Sequence, residues 1–486
     1  MSLGIAPILT SDSRYMEILH RNIEQVACDF WWIDWQQGNT TKVPGIDPLW
    51  LLNHFHFMDH SKSNPQGLIF SRYAGPGSHR YPIGFSGDTI ATWESLHFQP
   101  EFTASASNIG FGWWSHDLGG HMFGYRDDEM VARWIQLGVF SPIFRLHSSN
   151  SPWCSKEPWL YRKEAQETIE DSMRLRHRLV PYLYSMNLRA AIDGEPLIQP
   201  MYWSYPLLDE AYEVLNEYLF GSELICAPIT CPRNNITGLA PVTVWVPPGR
   251  HVDIFTGLVF DGDRKIQMYR PLHQLPVLAR EGAIIPLDAA DYPENGCSNP
   301  NSFEIVVIVG ANGRFEITED VRDDTESRVS AEDAVSNQRK SMVEFDQASG
   351  KIKGSLFPGS WKFRMLGLLA KEPKISLNGQ AISGGSISHT SYPDPPATII
   401  SLGQVKEDTH FIIELGSDPQ LVQYEKKEHI SDLILNFQIE FSMKDQIWKI
   451  VNQKHGAITK AASLLALKLP DYISEPIIEI LCADSR

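Results

Sequence analysis

The chain has 486 residues, of which 43% are hydrophobic and 11% aromatic, so it can bury more than one core. Asp and Glu number 59 against 42 Lys and Arg, which gives a formal net charge of −17. Because phosphate binding needs clustered Lys and Arg, this acidic balance argues against nucleic acid and anionic membranes as partners and favours a neutral ligand.

From the N-terminus to residue 194, short apolar runs alternate with helical patterns. The runs predict strands at residues 29–35, 67–72, 83–86, 109–114 and 139–144, and the patterns predict helices at 13–26, 48–61 and 126–137. A long helix over 163–191 then ends at Gly194, a C-cap, with Pro196 just beyond. Alternation of this kind indicates βα units around a parallel sheet. Only about five strands precede the long helix, so residues 1–194 are expected to form part of a (β/α)8 TIM barrel, which needs eight.

From residue 195 the sequence changes to short β-branched and aromatic runs separated by Pro and Gly. Runs at 224–229, 242–246, 251–254 and 278–287 predict an antiparallel β-sandwich over 195–290. Runs at 304–309, 313–318 and 361–365 predict a second β-domain over 291–422, with a polar loop around 320–339. Residues 423–486 are helical and rich in charge. The predicted fold class is therefore α/β plus all-β, a partial TIM barrel followed by C-terminal β-sandwich domains.

Two aspartates follow predicted strands of the first domain, 54 positions apart (88 − 34). Asp34 lies between Trp32 and Trp35, and Asp88 lies in the loop that follows residues 83–86. An aspartate at a strand end is more often a solvated turn or a helix cap than a catalyst. An ionised carboxylate among tryptophans, however, is costly without a purpose, and barrel enzymes keep their chemistry where strands end.

Five motifs in chain order resemble those of glycoside hydrolase family 31, the retaining α-glucosidases and α-xylosidases. They are Trp32-Ile33-Asp34, Ser71-Arg72, Gly87-Asp88-Thr89, Trp114-Ser115-His116-Asp117-Leu118-Gly119-Gly120 and Phe144-Arg145-Leu146-His147-Ser148. One such motif is a weak signal, whereas five in order are a strong one. The resemblance runs from about residue 15 to 290 and implies the second half of the barrel and the proximal β-sandwich.

Carried over position by position, the resemblance implies that Asp34 is the nucleophile and Asp88 the general acid/base. Arg72, sixteen residues before Asp88, would bind sugar hydroxyls and steady both carboxylates. Its permanent positive charge would keep the nucleophile ionised. A simpler alternative is that Arg72 pairs with a structural carboxylate.

The resemblance also implies residues that hold the sugar. Asp117 and His147 match positions that hydrogen-bond the sugar at the cleavage site, and Trp32, Trp114 and Phe144 would form aromatic walls. His147 could instead be a satisfied core histidine. The expected partner is a carbohydrate, an α-glycoside, and no cofactor and no metal is implied.

The sequence departs from the family pattern in two places. Gln36 and Gln37 follow Asp34 where many members have Asn-Glu, so the preferred sugar is left open. Members of the family also have an N-terminal β-sandwich and three barrel strands before the nucleophile, to which nothing here corresponds. The chain is therefore expected to be a truncated family member.

Other clusters of potential ligands have simpler explanations. On a helix His54 and His56 point about 200° apart and cannot share an ion, whereas His56 and His60 could. The acidic residues near Asp320 lack the Gly and Glu of a calcium loop. The six cysteines show no metal or disulfide spacing, and no run reaches the roughly 18–20 apolar residues of a membrane span. Without a signal peptide the chain as it stands is expected in the cytoplasm, although its compartment and oligomeric state are not determined.

The leading hypothesis is a retaining exo-α-glycosidase, an α-glucosidase, that forms a covalent glycosyl-Asp34 intermediate with Asp88 as acid and then base. A second hypothesis is a truncated, inactive family member that at most binds carbohydrate, because an incomplete barrel leaves open sheet edges. A third keeps the enzyme but changes its specificity to a galactoside, xyloside or N-acetylgalactosaminide, or to transglycosylation.

Overall fold

The computed structural model describes residues 13–21, 23, 28–34, 38, 43–63, 67–72, 75–81, 83–292, 299–320, 338–382, 386–422 and 426–485. The predicted departures at Gln36 and Gln37, and most of the loop predicted around 320–339, lie outside these residues. Among the described residues no helix has both the length and the apolar composition needed to cross a bilayer.

The N-terminal part of the described chain is built on a four-stranded parallel sheet. Its strands pair in chain order and are β1 (Trp31–Ile33), β2 (Ile69–Arg72), β3 (Gly84–Phe85) and β4 (Trp114–Ser115). A single parallel bridge between Leu118 and Leu146 continues this order. The strands are short, and β2 buries Ile69, Phe70 and Ser71. The partial barrel predicted from the sequence is consistent with this sheet.

Helices alternate with these strands. They are α1 (Ser13–Arg21), α2 (Pro48–Ser63), α3 (Trp93–Ala106), α4 (Asp128–Val139), α5 (Lys163–Arg178) and α6 (Val180–Asp193), with short 3-10 turns at Ser78–Arg80, Ser107–Ile109, Pro152–Cys154 and Pro158–Leu160. The Asp127 side chain accepts a hydrogen bond from the Met130 N–H and caps α4. Because every residue from Met130 to Val139 is buried, α4 lies at the centre of the packing.

Two local predictions are corrected by the structure, and one helix was not predicted. The strand predicted at 139–144 is absent from the described chain, since α4 extends to Val139 and only Leu146 makes a strand-like bridge. The sequence pattern did not predict α3. The long helix over 163–191 is divided at Leu179, because Pro181 has no N–H to continue the hydrogen-bond ladder. Its predicted end at Gly194 is confirmed by a left-handed C-cap at φ 74°.

The proximal β-region is antiparallel. Its strands are β5 (Ile198–Pro200), β6 (Tyr218–Phe220), β7 (Leu224–Cys226), β8 (Ala240–Val246), β9 (Arg250–Asp253), β10 (Val259–Asp261), β11 (Arg264–Arg270) and β12 (Val277–Arg280), with two short helices, α7 (Met201–Ser204) and α8 (Glu210–Glu213). Six of them form one sheet in the order β10-β9-β12-β7-β6-β5, and β8 pairs with β11.

The distal β-region contains two sheets, one of five strands and one of six. Its strands are β13 (Ile284–Asp288), β14 (Ser302–Ile308), β15 (Gly313–Asp320), β16 (Gln338–Asp346), β17 (Lys351–Leu356), β18 (Gly359–Leu366), β19 (Lys374–Leu377), β20 (Gln380–Ala381), β21 (Ser386–Thr390), β22 (Ala397–Val405) and β23 (Thr409–Glu414). The sheet orders are β13-β14-β18-β22-β21 and β15-β16-β17-β23-β19-β20. Trp361 on β18 stacks on Phe303 with ring centroids 4.3 Å apart.

The single strand predicted at 278–287 is two strands in different sheets. β12 ends at Arg280, Gly282 turns the chain at φ 84°, and β13 then pairs with β14 in the distal region. The chain therefore passes from the proximal sheet to a distal sheet at Gly282, eight residues before the domain boundary predicted at residue 290. Periodicity alone cannot show this change, because both strands are apolar and buried.

Four helices form the C-terminal tail, namely α9 (Lys426–Asn436), α10 (Phe441–Val451), α11 (Ala457–Ala466) and α12 (Asp471–Cys482). The tail shares one core with the proximal region. Arg270 on β11 pairs with Glu479 on α12 and with Asp253 on β9, in each case at 2.7 Å, and all three side chains are buried. Burial favours neutral forms, but these carboxylates raise the pKa of Arg270, so the guanidinium stays charged.

We predict that Glu479→Ala lowers the free energy of unfolding by about 3–5 kcal/mol, because it removes one partner of a buried charge. It also leaves the Tyr269 N–H without the carboxylate oxygen that accepts it at 2.8 Å. Urea denaturation followed by circular dichroism measures the loss. Asp445→Ala, at an exposed position of α10, is the control and is expected to change stability by less than about 0.5 kcal/mol. Equal stability of the two variants would contradict the prediction.

Among the residues that the structure describes, no histidine of α2 belongs to a group of three potential metal ligands. The His54 ring contacts the Tyr81 hydroxyl at 2.8 Å, His56 contacts His20 at 2.7 Å, and His60 contacts the Asp29 carbonyl at 3.1 Å. His56 and His60, which the sequence allowed to share an ion, therefore contact different groups. These rings hold α2 against its neighbours.

Candidate functional site

The predicted site residues gather at the carboxyl ends of the parallel strands. Asp34 directly follows β1, and Arg72 is the last residue of β2. Asp88 lies three residues after β3, and Asp117 lies two residues after β4. His147 directly follows the bridging residue Leu146. Parallel strands end at one edge of a sheet, so side chains far apart in sequence meet there.

Arg72 binds both predicted catalytic carboxylates. Its Nη2 atom lies 2.6 Å from Asp34 Oδ1 and 2.9 Å from Asp88 Oδ1, and its Nε donates to Asp34 Oδ1 at 2.8 Å. Because the first two distances start from the same atom, the two carboxylate oxygens are at most 5.5 Å apart (2.6 plus 2.9 Å). Burial lowers the pKa of Arg72, but Asp34 and then Asp88 outweigh it and raise that pKa overall.

A glycine makes room for this guanidinium. Gly87 has φ 84°, and a Cβ atom at this position would lie 2.4 Å from Arg72 Nη1. A side chain here would therefore meet both backbone strain and a clash with the group that holds the carboxylates. The Gly-Asp pair at 87–88 thus has a physical reason in this fold.

Asp117 is buried beside a second arginine. Its side chain is 1% exposed, and Oδ1 accepts a hydrogen bond from Arg145 Nη2. Burial raises the pKa of Asp117 to about 6, although Arg145 and His121 act in the opposite direction. Burial also lowers the pKa of Arg145. Arg145 further lies over the rings of Phe70 and Phe85, 4.9 and 5.1 Å from their centroids.

His121 is a site residue that sequence reasoning missed. Its Nδ1 lies 3.4 Å from Asp117 Oδ2, and its Nε2 lies 3.9 Å from Asp88 Oδ2, so the ring stands between two carboxylates. The Gly-Gly turn at 119–120 and the four-residue spacing from Asp117 could have drawn attention to it. Arg145 lies in the Phe144–Ser148 motif, but the sequence alone assigns it no role.

Asp117, His121 and His147 could also offer ligands to a metal ion. One atom from each lies within 4.8 Å of the others, and the described residues contain no second group of this kind. The positive charge of Arg145 on Asp117 opposes a cation at this position.

His147 and Trp32 close one side of the site. The two rings meet edge to face with centroids 5.4 Å apart, and Trp32 is 48% exposed. Burial, followed by the positive charge of Arg145, lowers the pKa of His147 to about 4. The imidazole is therefore neutral at pH 7 and can accept or donate a hydrogen bond.

The other two predicted aromatic walls are placed differently. Trp114 is 1% exposed and packs between Phe102 and Phe111, so its ring is part of the core and cannot face a ligand. This corrects the prediction for Trp114: successive residues of a strand point to opposite faces, and Trp114 is on the face that packs against Phe102 and Phe111. Phe144 is half-buried against the main core.

We predict that the unfolding free energies of wild type and Asp117→Asn depend differently on pH. The folded chain holds the Asp117 proton more tightly than the unfolded chain does, with a pKa raised from 3.8 to about 6. This contribution to stability is full below about pH 4 and is lost as the pH rises through about 6. Wild type should therefore lose about 2 kcal/mol relative to the variant between pH 4 and pH 7.

Urea denaturation at pH 4, 5, 6 and 7 tests this difference. Asp193→Asn, at an exposed position at the end of α6, is the matched control and should follow the wild-type curve. Parallel curves for wild type and Asp117→Asn would show that burial does not raise this pKa.

Asp34 and Asp88 thus share Arg72 at the carboxyl edge of a parallel sheet. Comparison with known families shows which class of protein has this fold. Residues 10–186 match the family model described as "Glycosyl hydrolases family 31 TIM-barrel domain". Residues 194–285 match the model described as "Glycosyl hydrolase family 31 C-terminal domain". The chain therefore belongs to glycoside hydrolase family 31.

Curated relatives share only part of their length with this chain. An alpha-xylosidase of Saccharolobus solfataricus is 30% identical over 264 residues, which cover 53% of this chain and 35% of the relative. Neutral alpha-glucosidase C of Mus musculus is 28% identical over 258 residues, which cover 53% of this chain and 28% of the relative. The chain thus spans about a third of the length of these relatives.

Solved structures share the fold. A family 31 dextranase of Flavobacterium johnsoniae, in complex with isomaltotriose, has a TM-score of 0.64 at 20% identity and covers 75% of this chain and 48% of its own. A glucosidase II alpha subunit has a TM-score of 0.67 at 19% identity, and the match covers 83% of this chain and 48% of that subunit.

Proposed function

We propose that this chain carries the active site of a retaining exo-α-glycosidase that hydrolyses α-glucosides. The observation that carries the proposal is the spacing of the two carboxylates on Arg72. Retaining glycosidases need their carboxyl groups about 5–5.5 Å apart, whereas inverting enzymes need about 6.5–9.5 Å to admit a water molecule. The limit of 5.5 Å for the oxygens of Asp34 and Asp88 supports retention.

The surroundings of the two aspartates support different roles. Asp34 is 17% exposed and accepts two contacts from Arg72, which suits an ionised nucleophile. Asp88 is 39% exposed and accepts one hydrogen bond from Arg72. Its second oxygen faces His121, so it stands where a proton can be given to a departing oxygen and taken back from water. Asp34 then forms the covalent glycosyl intermediate, and Asp88 acts as acid and later as base.

The net charge of the site suits the reaction. When Asp88 is protonated as the general acid, the carboxylates of Asp34 and Asp117 balance the guanidinium groups of Arg72 and Arg145, so the Asp34 carboxylate meets the reacting carbon in a site without net positive charge. The transition state of glycoside cleavage has oxocarbenium character and is positive. In a partly buried site this complementarity is worth more than in water.

The sugar-holding roles follow from the same geometry. His147 and Asp117 offer hydrogen-bonding atoms at one side of the carboxylate pair, and the exposed ring of Trp32 offers a face to the apolar C–H groups of a pyranose. The family contains relatives named alpha-glucosidase and alpha-xylosidase, and these names support an α-linked sugar with glucose as the first choice.

We predict that the chain hydrolyses 4-nitrophenyl α-glucoside and that Asp34→Asn abolishes this hydrolysis. A mechanism-based fluoroglycoside should label the peptide that contains Asp34, as mass spectrometry would show. Asp193→Asn is the control for an exposed carboxylate and should retain wild-type kcat/KM. Label on any other peptide would refute the assignment. A folded chain without turnover would support the inactive alternative.

We predict that Asp88→Asn separates substrates by their leaving groups. Loss of a general acid costs about 10²- to 10⁴-fold when the leaving oxygen is a poor leaving group, as in maltose. 4-Nitrophenolate needs less protonation, so its glycoside should lose less in the glycosylation step. Burst and single-turnover kinetics on both substrates measure this step. An equal loss on both would exclude Asp88 as the acid.

A further inference from the structure

We infer that a cavity beside the carboxylate pair binds further glycosyl units of an oligosaccharide, an inference that rests on the proposed function. The cavity has a volume of about 260 Å³. Three aromatic side chains line it and stand in solvent, Phe123 at 77% exposure, Tyr125 at 57% and Trp153 at 86%. Aromatic faces of this kind stack on the apolar faces of sugar rings.

The cavity lies next to the candidate active site, because Gly119 and Ser149 line it two residues after Asp117 and His147, and backbone hydrogen bonds join the two places. The N–H groups of His121 and Met122 donate to the Thr89 carbonyl at 2.6 and 3.2 Å, directly after Asp88. The Ala91 N–H then donates to the Met122 carbonyl at 3.2 Å, and Ala91 itself lines the cavity. A sugar chain that leaves the carboxylate pair on this side would therefore meet the aromatic rings.

The loop is built to present its rings. Phe123 has φ 52°, a left-handed conformation that is uncommon for a residue with a side chain. Next to it, Gly124 packs so closely that a Cβ atom would lie 2.1 Å from the Ala91 carbonyl oxygen. The Ser149 N–H donates to the His121 carbonyl at 2.8 Å and joins the segment that carries Trp153. Two loops are thus fixed to each other with aromatic rings left outside.

The charges of the cavity favour a neutral ligand. Its two cationic residues are already engaged. Lys156 is 7% exposed and donates to the Cys154 carbonyl at 2.9 Å, and Arg126 contacts Asp128 at 3.2 Å and lies over the Tyr161 ring. The remaining polar lining comes from hydroxyl groups, and the lining has no carboxylate. An anion would find no free positive charge here, whereas sugar hydroxyls find neutral partners.

Binding to the Asp34→Asn chain tests the inference without turnover. Isothermal titration calorimetry compares methyl α-glucoside with isomaltotriose and maltotriose. We expect at least one trisaccharide to bind about tenfold more tightly than the monosaccharide. Adding Trp153→Ala should weaken trisaccharide binding about two- to tenfold and leave monosaccharide binding unchanged.

Trp159 provides a matched control, because it is 71% exposed but does not line the cavity. Trp159→Ala should leave all affinities unchanged, and Phe123→Ala should reproduce the effect of Trp153→Ala if the latter fails to fold. Equal affinities for all three ligands, no saccharide binding, or no effect of either cavity variant would overturn the inference. Failure of the proposed function is read separately, from aryl glucoside hydrolysis and fluoroglycoside labelling of the chain without the Asp34→Asn change.

Discussion

One guanidinium group fixes the geometry on which the site depends. Two ionised aspartates whose oxygens are at most 5.5 Å apart repel each other, and without a cation between them their side chains would turn away. Arg72 offsets that repulsion by donating hydrogen bonds to both carboxylates, and Gly87 leaves the space in which the guanidinium lies. The Arg72 guanidinium therefore sets the spacing of the two carboxylates. Arg72 is placed by its position at the end of β2, and the buried residues of β2 hold that strand in the sheet.

The buried pair of Asp117 and Arg145 lies deeper in the site, and there burial acts against the charges. Asp117 and Arg145 attract each other, yet burial shifts the pKa of each toward its neutral form. Burial thus opposes the charges that the pair contributes. Arg145 is nevertheless held in one position, because it pairs with the Asp117 carboxylate and lies over the rings of Phe70 and Phe85. His121 contacts the same Asp117 carboxylate at 3.4 Å, so the pair also helps to position that ring.

A similar buried arginine organises the opposite end of the chain. Arg270 joins β9, β11 and α12 through Asp253 and Glu479, and the surrounding apolar residues of the tail and the proximal region form one core. The α-helical tail lies beyond the part of the chain that the family descriptions match, which ends at residue 285. It is nevertheless part of the packed structure.

The sequence by itself determined the local features. The tryptophan-flanked Asp34, the Gly-Asp pair at 87–88 and the order of five motifs identified the family and the partial barrel, because these features depend on neighbouring residues. It misplaced Trp114, gave no role to Arg145 and His121, and joined two strands across Gly282. Only the tertiary structure decided these points. Which face of a strand is covered, which arginine reaches which carboxylate, and which sheet a strand enters all depend on contacts between residues far apart in the chain.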